Sequence, residues 1–198
     1  MKHSKMNISN RIKYHHDHRQ YCKILRQVGK DAVEKSNGYI VDYSDNFVLL
    51  QEAIDFDVDG FVAFPIQTIS EILYNNNDKY YDKIMHLEGI VERIEKKHQI
   101  NLTSWATILK SIKKLSLNVI IENEDPEDKT FDIGQIIKIT KTAVYIRYFN
   151  ARGIFDEDVT KISWNLISLV TFDDRYTNLY SKHLRERNLK QKSNSDLK

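Results

Sequence analysis

Three aspartates alternate with apolar residues in the segment Asp55-Phe-Asp-Val-Asp-Gly60. This spacing is typical of the start of a calcium-binding EF-hand loop, in which carboxylate oxygens alternate along the chain. Such a loop ends in a bidentate glutamate, and the matching position here is Ile66. The residues that follow, Phe61-Val-Ala-Phe64, indicate a strand rather than a second helix. We therefore interpret the segment as a solvated turn and expect no calcium ion.

Imidazole groups crowd the segment His15-His16-Asp17-His18. Imidazole binds zinc, nickel and copper, but a structural site needs well-spaced ligands that converge on the ion. Adjacent histidines in a basic end do not converge easily, so we expect an exposed stretch and no metal site. Cys22 would share a helix face with His18. Because a catalytic thiolate needs a base and solvent access, we interpret Cys22 as a structural thiol.

The motifs that identify common enzyme classes are missing from this sequence. It has no glycine-rich phosphate loop, no G-x-S-x-G nucleophile motif and no H-E-x-x-H zinc motif. Acidic residues are abundant, but no pair can be singled out as a general acid and base. We predict that the chain is not an enzyme and that it needs no cofactor.

Charge is segregated along the chain although its formal net value is only +2. Residues 1–37 hold nine Lys and Arg against three acids, and residues 181–198 hold six against two. The remaining body, 38–180, carries 15 basic and 23 acidic residues. An acidic body with two basic ends is a clue to partners rather than to fold.

The basic ends are the candidate nucleic-acid interface, because Lys and Arg beside aromatic rings neutralise phosphates and stack on bases. The candidate residues are Arg11, Lys13, Arg19, Lys23, Arg26, Arg185, Arg187 and Lys190. Two solvated helix faces would explain the same pattern. The acidic body offers another surface, since an aromatic groove beside acidic loops suits a protein partner with basic residues. It would also attract the basic ends of a second copy, so self-association stays open.

The composition is that of a folded protein, with 41% hydrophobic residues and 29% charged residues. No apolar run is long enough to span a bilayer, and the polar start has no apolar core of a secretory signal. One cysteine excludes a disulfide framework. These features predict a cytoplasmic location and no membrane partner.

An internal repeat organises the chain. The segment Gly38–Leu50 aligns with Gly134–Ile146, with each glycine ten residues before a valine. Further along, Gly60 aligns roughly with Gly153, and Ile69-Ser-Glu-Ile72 aligns with Ile167-Ser-Leu-Val170. Short runs rich in Ile, Val and Tyr, separated by turn residues, predict at least four strands in each copy.

Helical spacing of apolar residues flanks each copy. It predicts helices over 21–28 and 84–94 around the first copy, and over 105–115 and 176–183 around the second. Thr103 or Ser104 is expected to cap the third of these helices.

We therefore divide the chain into four parts. Residues 1–18 are a basic end, 19–97 and 98–190 are two units of helix, small sheet and helix, and 191–198 are a polar tail. No flexible Gly/Ser linker separates the units, so we expect them to pack together.

A helix followed by a short, strongly bent antiparallel meander resembles the Sm-like (LSm) branch of the SH3-like small barrels. The glycine that leads the first hairpin and the closing Ile-Ser-x-Ile/Val strand carry this resemblance, which extends to uncharacterised bacterial proteins of the same organisation. It implies an α+β, mainly β fold with two small bent antiparallel barrels in tandem, each flanked by helices.

The resemblance also implies RNA binding through a basic glycine turn between the last two strands of Sm proteins. This sequence has Phe64-Pro-Ile-Gln-Thr68 and Ser163-Trp-Asn-Leu166 there instead. We therefore expect a non-enzymatic bacterial interaction protein that binds a partner through barrel loops and edges. The alternative is an Sm-like RNA- or DNA-binding regulator that uses the basic ends.

Overall fold

A computed structural model describes residues 7–94 and 96–187, which form helices packed on one antiparallel sheet. In this part of the chain the α-helices are α1 (Ile8–Asp17), α2 (Asn76–Leu87), α3 (Trp105–Lys114) and α4 (Arg175–Ser181). Each begins after a side chain that accepts backbone N–H groups of the first turn, which otherwise lack partners. These N-cap residues are Asn7, Asn75, Ser104 and Asp174. Ser104, rather than Thr103, is thus the cap of α3.

Ten strands form the sheet within the described residues. The first five are β1 (Cys22–Gln27), β2 (Val33–Tyr43), β3 (Phe47–Ile54), β4 (Asp57–Pro65) and β5 (Ile69–Leu73). The others are β6 (Asn118–Asn123), β7 (Thr130–Ile139), β8 (Ala143–Tyr148), β9 (Thr160–Ser163) and β10 (Leu169–Phe172). Their spatial order is β5-β1-β2-β3-β4-β10-β6-β7-β8-β9. In each half, therefore, the last strand pairs with the first, and the others follow in chain order.

The two halves also share their irregularities. The register between β2 and β3 shifts between Ile40 and Asp42, and the register between β7 and β8 shifts between Ile136 and Lys138. A single 3-10 turn precedes the last strand of each half, at Ile66–Thr68 and at Trp164–Leu166. Since bulges and turns fix the bend of a strand, the halves bend at matching places.

Gly38 and Gly134 occupy matching positions in the two halves. At each position the partner strand passes too close to leave room for a side chain. A Cβ at Gly38 would lie 2.0 Å from the carbonyl oxygen of Gln51, and one at Gly134 would lie 2.1 Å from that of Arg147. The other aligned pair does not match. Gly60 lies within β4, whereas Gly153 has a φ of +67° in the loop between β8 and β9.

The halves join where β4 pairs with β10, with Ala63 opposite Val170 and Phe61 opposite Phe172. In the described residues β4 is not paired with β5, and β9 is not paired with β10, so the sheet is open. The α+β, mainly-strand class is therefore confirmed. The structure has one continuous sheet across both halves rather than two separately closed ones.

Apolar side chains fill both faces of this sheet. On one face of the first half, Ile24, Leu50 and Phe64 pack with Ile12 of α1. The other face carries a core that runs across the junction and includes Ile108 of α3. Buried residues from the strands of the second half belong to this same core. The two halves therefore pack against each other, as the lack of a flexible linker in the sequence predicted.

The predicted helix over 21–28 is wrong, because β1 occupies Cys22–Gln27. Tyr21, Ile24, Leu25 and Val28 have helical spacing, but burial in β1 alternates from Cys22 onward, as in a strand. Pairing with β2 on one side and β5 on the other provides hydrogen-bond partners for the backbone of β1. The first helix instead lies within the segment assigned to the basic end.

Candidate functional site

A cleft of about 630 Å³ opens at the junction of the two halves. The end of β1 and the 3-10 turn after β4 line it from the first half. The loop after β6, the 3-10 turn after β9 and the start of α3 line it from the second half. Loops from different parts of the chain thus converge on one concave surface, as is common for binding sites.

Aromatic rings form the apolar part of the cleft. Phe47 and Trp105 pack edge to face, with ring centroids 4.7 Å apart, and both are largely buried. Trp164 is half-buried, and its indole N–H donates to the carbonyl oxygen of Lys141 at 3.0 Å. This hydrogen bond restrains the ring, so the cleft has a preformed apolar wall.

Two carboxamides project from the matching 3-10 turns. Gln67 and Asn165 are the middle residues of their turns, line the cleft and are exposed. Neither carboxamide has a hydrogen-bond partner among the described residues. A carboxamide both donates and accepts, so each can bind a peptide group or another amide.

Carboxylates supply the charge of the cleft. Asp125 and Asp128 line it, and both lie in the turn after β6. The backbone N–H of Asp128 donates to the carbonyl oxygen of Asp125 at 3.0 Å, and Asn123 donates to the Asp128 carboxylate. Among the described residues that line the cleft there is no Lys, Arg or His.

A buried ion pair joins the halves beside the cleft. The Arg26 guanidinium donates to both oxygens of Glu124, at 2.6 and 2.7 Å. Arg26 is 2% exposed and Glu124 is 7% exposed. Ser168, which lines the cleft, donates to the same carboxylate at 2.8 Å. This bidentate geometry fixes β1 against the loop after β6.

Glu52 and Glu122 are close enough to Arg26 that its positive charge opposes a rise in their pKa values. Burial raises the pKa of Glu52 to about 7, and the negative charges of Asp59 and Asp174 add to the effect. Burial also raises the pKa of Glu122. The junction is therefore a region where proton binding is coupled to packing.

The predicted nucleic-acid residues near the N-terminus lie on and after α1. Arg11 and Lys13 belong to the helix, and Arg19 follows it with a φ of 45°. Lys13 pairs with Asp17 at 2.6 Å, while Arg19 is exposed.

The two predicted residues on β1 have protein partners. The Lys23 ammonium lies 2.6 Å from a carboxylate oxygen of Asp78, which is buried. Arg26 lies inside the protein, where two nitrogens of its guanidinium donate to the Glu124 carboxylate. The structure thus gives both side chains a structural role.

The C-terminal predicted residues lie beside the loop between β8 and β9. Arg185 forms a backbone bridge with Ile154, and Arg187 is 3.6 Å from a Glu157 oxygen. Lys190 lies outside the described residues. The structure therefore distributes the seven described candidate residues over α1, the segment after it, β1 and the C-terminal segment, and none of these seven lines the cleft.

Two of the three aspartates in the segment 55–60 have protein partners. Asp57 pairs with Arg93, and Asp59 accepts the backbone N–H of Arg175 at 2.7 Å. Within the described residues, no group of His, Cys, Asp and Glu is arranged to hold a metal ion.

The expected exposed stretch of histidines is wrong for His15, because this residue lies on the buried face of α1. His15 is buried, which lowers its pKa, while His16 contacts Asp17 and His18 stacks on Tyr14. Cys22 is fully buried, and this burial raises its thiol pKa, so the thiol lacks the access that a nucleophile needs.

Sequence reasoning missed the cleft although part of its signal was visible. The segments 64–68 and 163–166, which lack the basic glycine turn of Sm proteins, contain the two 3-10 turns that line the cleft. The sequence also contains an acidic, loop-like segment around Pro126, from Glu122 to Lys129. What could not be seen is that β4 pairs with β10, which brings these loops together.

Comparisons with protein-family models, with curated proteins and with solved structures found no match. Among the described residues, no helix is long and apolar enough to cross a membrane.

Proposed function

We propose that this chain is a non-enzymatic bacterial interaction protein that binds a segment of a protein partner in the junction cleft. The observation that carries the proposal is the combination of aromatic wall, free carboxamides and carboxylates on one concave surface. Apolar rings contribute burial, and carboxamides bind peptide groups. The cytoplasm, expected from the single cysteine, is the proposed location.

The proposal extends to the fold. Each half is an Sm-like or SH3-like small barrel, and the binding cleft lies between the loops of the two barrels. The matching strand order, bulges, glycines and 3-10 turns of the halves support this interpretation. In this arrangement the repeat creates the site, because each copy contributes one turn.

Selection from a display library of short random peptides tests this function. Selected peptides are then measured by fluorescence anisotropy against Asn165→Arg, which fills the cleft from an exposed position. The matched control is Asn10→Arg, an exposed position on α1. We expect Asn165→Arg to abolish binding and Asn10→Arg to leave it unchanged. Binding that survives Asn165→Arg, or a library that yields no binder, contradicts the proposal.

Nucleic acid is the alternative outcome, because the ends of the chain are basic. It predicts that a mixed oligonucleotide pool binds with an affinity that falls steeply as salt increases. Charge reversal at Arg19 would weaken binding to all sequences alike. If this result were obtained and no peptide bound in the cleft, the proposed function would be replaced by that of an RNA- or DNA-binding regulator.

A further inference from the structure

We infer that the partner segment is extended and basic, with Lys or Arg side chains that bind at the Asp125–Asp128 turn. This inference rests on the proposed function and names the chemistry of its partner. The cleft has two carboxylates and, among the described residues lining it, no cationic side chain. An unbalanced negative charge at a concave surface attracts cations and disfavours phosphates.

The carboxylates are held in place by contacts from both halves. The backbone N–H of Asp125 donates to the Asn123 side chain at 3.2 Å. The hairpin between β1 and β2 packs against the same turn, since a Cβ at Gly29 would lie 2.9 Å from an Asp125 carboxylate oxygen. A turn fixed in this way loses little freedom when a ligand binds, which favours affinity.

The aromatic wall suits the same ligand. Trp105 and Trp164 line the cleft together with the two carboxylates. Lys and Arg carry long apolar stems below their charged heads, so the stems bury against rings while the heads pair with carboxylates. A guanidinium or ammonium over an indole face gains a further cation–π attraction.

The two free carboxamides account for the extended shape. Gln67 and Asn165 occupy matching places in turns that each close by a backbone bond, from Ile69 to Ile66 and from Ile167 to Trp164. Each half of the sheet therefore contributes one carboxamide to the same cleft. An extended peptide has free N–H and C=O groups along its backbone and can bind both.

The test compares the Lys and Arg content of selected peptides with that of the starting library. It is run on the wild-type chain, on Asp125→Asn with Asp128→Asn, and on Asp156→Asn with Asp158→Asn. The last pair makes the same charge change at exposed residues outside the cleft. We expect enrichment of Lys and Arg on the wild type and on the control, and none on the cleft variant.

Affinity measured by anisotropy adds a quantitative check. A selected basic peptide should bind the cleft variant about tenfold more weakly, as expected when two exposed ion pairs are lost. Peptides that are not enriched in Lys or Arg, or equal binding to the cleft variant, would overturn the inference. If those peptides still lost binding with Asn165→Arg, the proposed function would stand, whereas a library without binders would remove both.

Discussion

The ion pair between Arg26 and Glu124 gives a prediction that separates a structural role from a nucleic-acid role for Arg26. Both groups are almost fully buried, and their two hydrogen bonds are 2.6 and 2.7 Å long. Removing one partner leaves a buried charge without compensation, which costs about 3–5 kcal/mol. We expect Arg26→Met to lower the free energy of unfolding by this amount.

The same loss should appear as a shift in melting temperature. For a chain of this size, 1 kcal/mol corresponds to roughly 2–4 °C, so Arg26→Met should melt roughly 10 °C lower. The double variant Arg26→Met with Glu124→Leu should lose less than the sum of the single variants, because no buried charge then remains. Urea denaturation with linear extrapolation measures each free energy.

A matched control is available on the surface. Arg187 is exposed and lies 3.6 Å from Glu157, so Arg187→Met should change the free energy of unfolding by less than about 1 kcal/mol. The reasoning would be refuted if Arg26→Met were as mild as this control. It would also fail if the double variant lost as much as the two single variants together.

Three further substitutions test the packing of the sheet. Because the pKa of Glu52 is about 7 in the folded protein, its protonated form stabilises the fold below the ordinary glutamate pKa. That contribution, up to about 3 kcal/mol, is lost as pH rises towards 7. Glu52→Gln should therefore flatten the dependence of the free energy of unfolding on pH across this range, as measured by urea denaturation. An unchanged slope contradicts the raised pKa of Glu52. Gly134→Ala should cost more than about 3 kcal/mol in chemical denaturation, because its Cβ would clash with the partner strand. Gly89→Ala should cost only about 1 kcal/mol for its positive φ, because its Cβ would lie at an ordinary contact distance, 3.8 Å, from a Glu92 carboxylate oxygen. Equal losses would be inconsistent with the close strand approach. Tyr39→Phe removes the hydroxyl that donates to buried Asp82 of α2 at 2.9 Å. Calorimetry should show that the free energy of unfolding falls by about 1–3 kcal/mol. An unchanged free energy would mean that this hydrogen bond does not hold α2 on the sheet.

Local patterns were sufficient to predict the hairpins and the two helices of the second half, α3 and α4. The predicted helix over 84–94 is displaced, because α2 spans Asn76–Leu87 and ends within the predicted range. The aligned segments 38–50 and 134–146 form β2–β3 and β7–β8, and Trp105–Lys114 is helical with Ser104 as its cap. These features depend on neighbours in sequence, since strand alternation, turn residues and capping act over a few positions.

Long-range features were not predictable in the same way. Tyr21 to Val28 satisfies helical spacing, and only pairing with β2 and β5 makes it a strand. The sequence around Arg26 predicts a surface cation, because its partner Glu124 lies 98 positions away along the chain. The cleft depends on the junction of β4 and β10, which local propensity does not encode.

Site-specific photo-crosslinking in the cells that naturally produce the protein tests the central claim most directly. A photo-reactive amino acid is placed at Asn165 in the cleft and, as the control, at Asn10 on α1. We predict a nuclease-resistant protein adduct from Asn165 that a selected basic peptide suppresses, and no such adduct from Asn10. Adducts to nucleic acid, or equal adducts from the two positions, would contradict a protein-binding cleft between the halves.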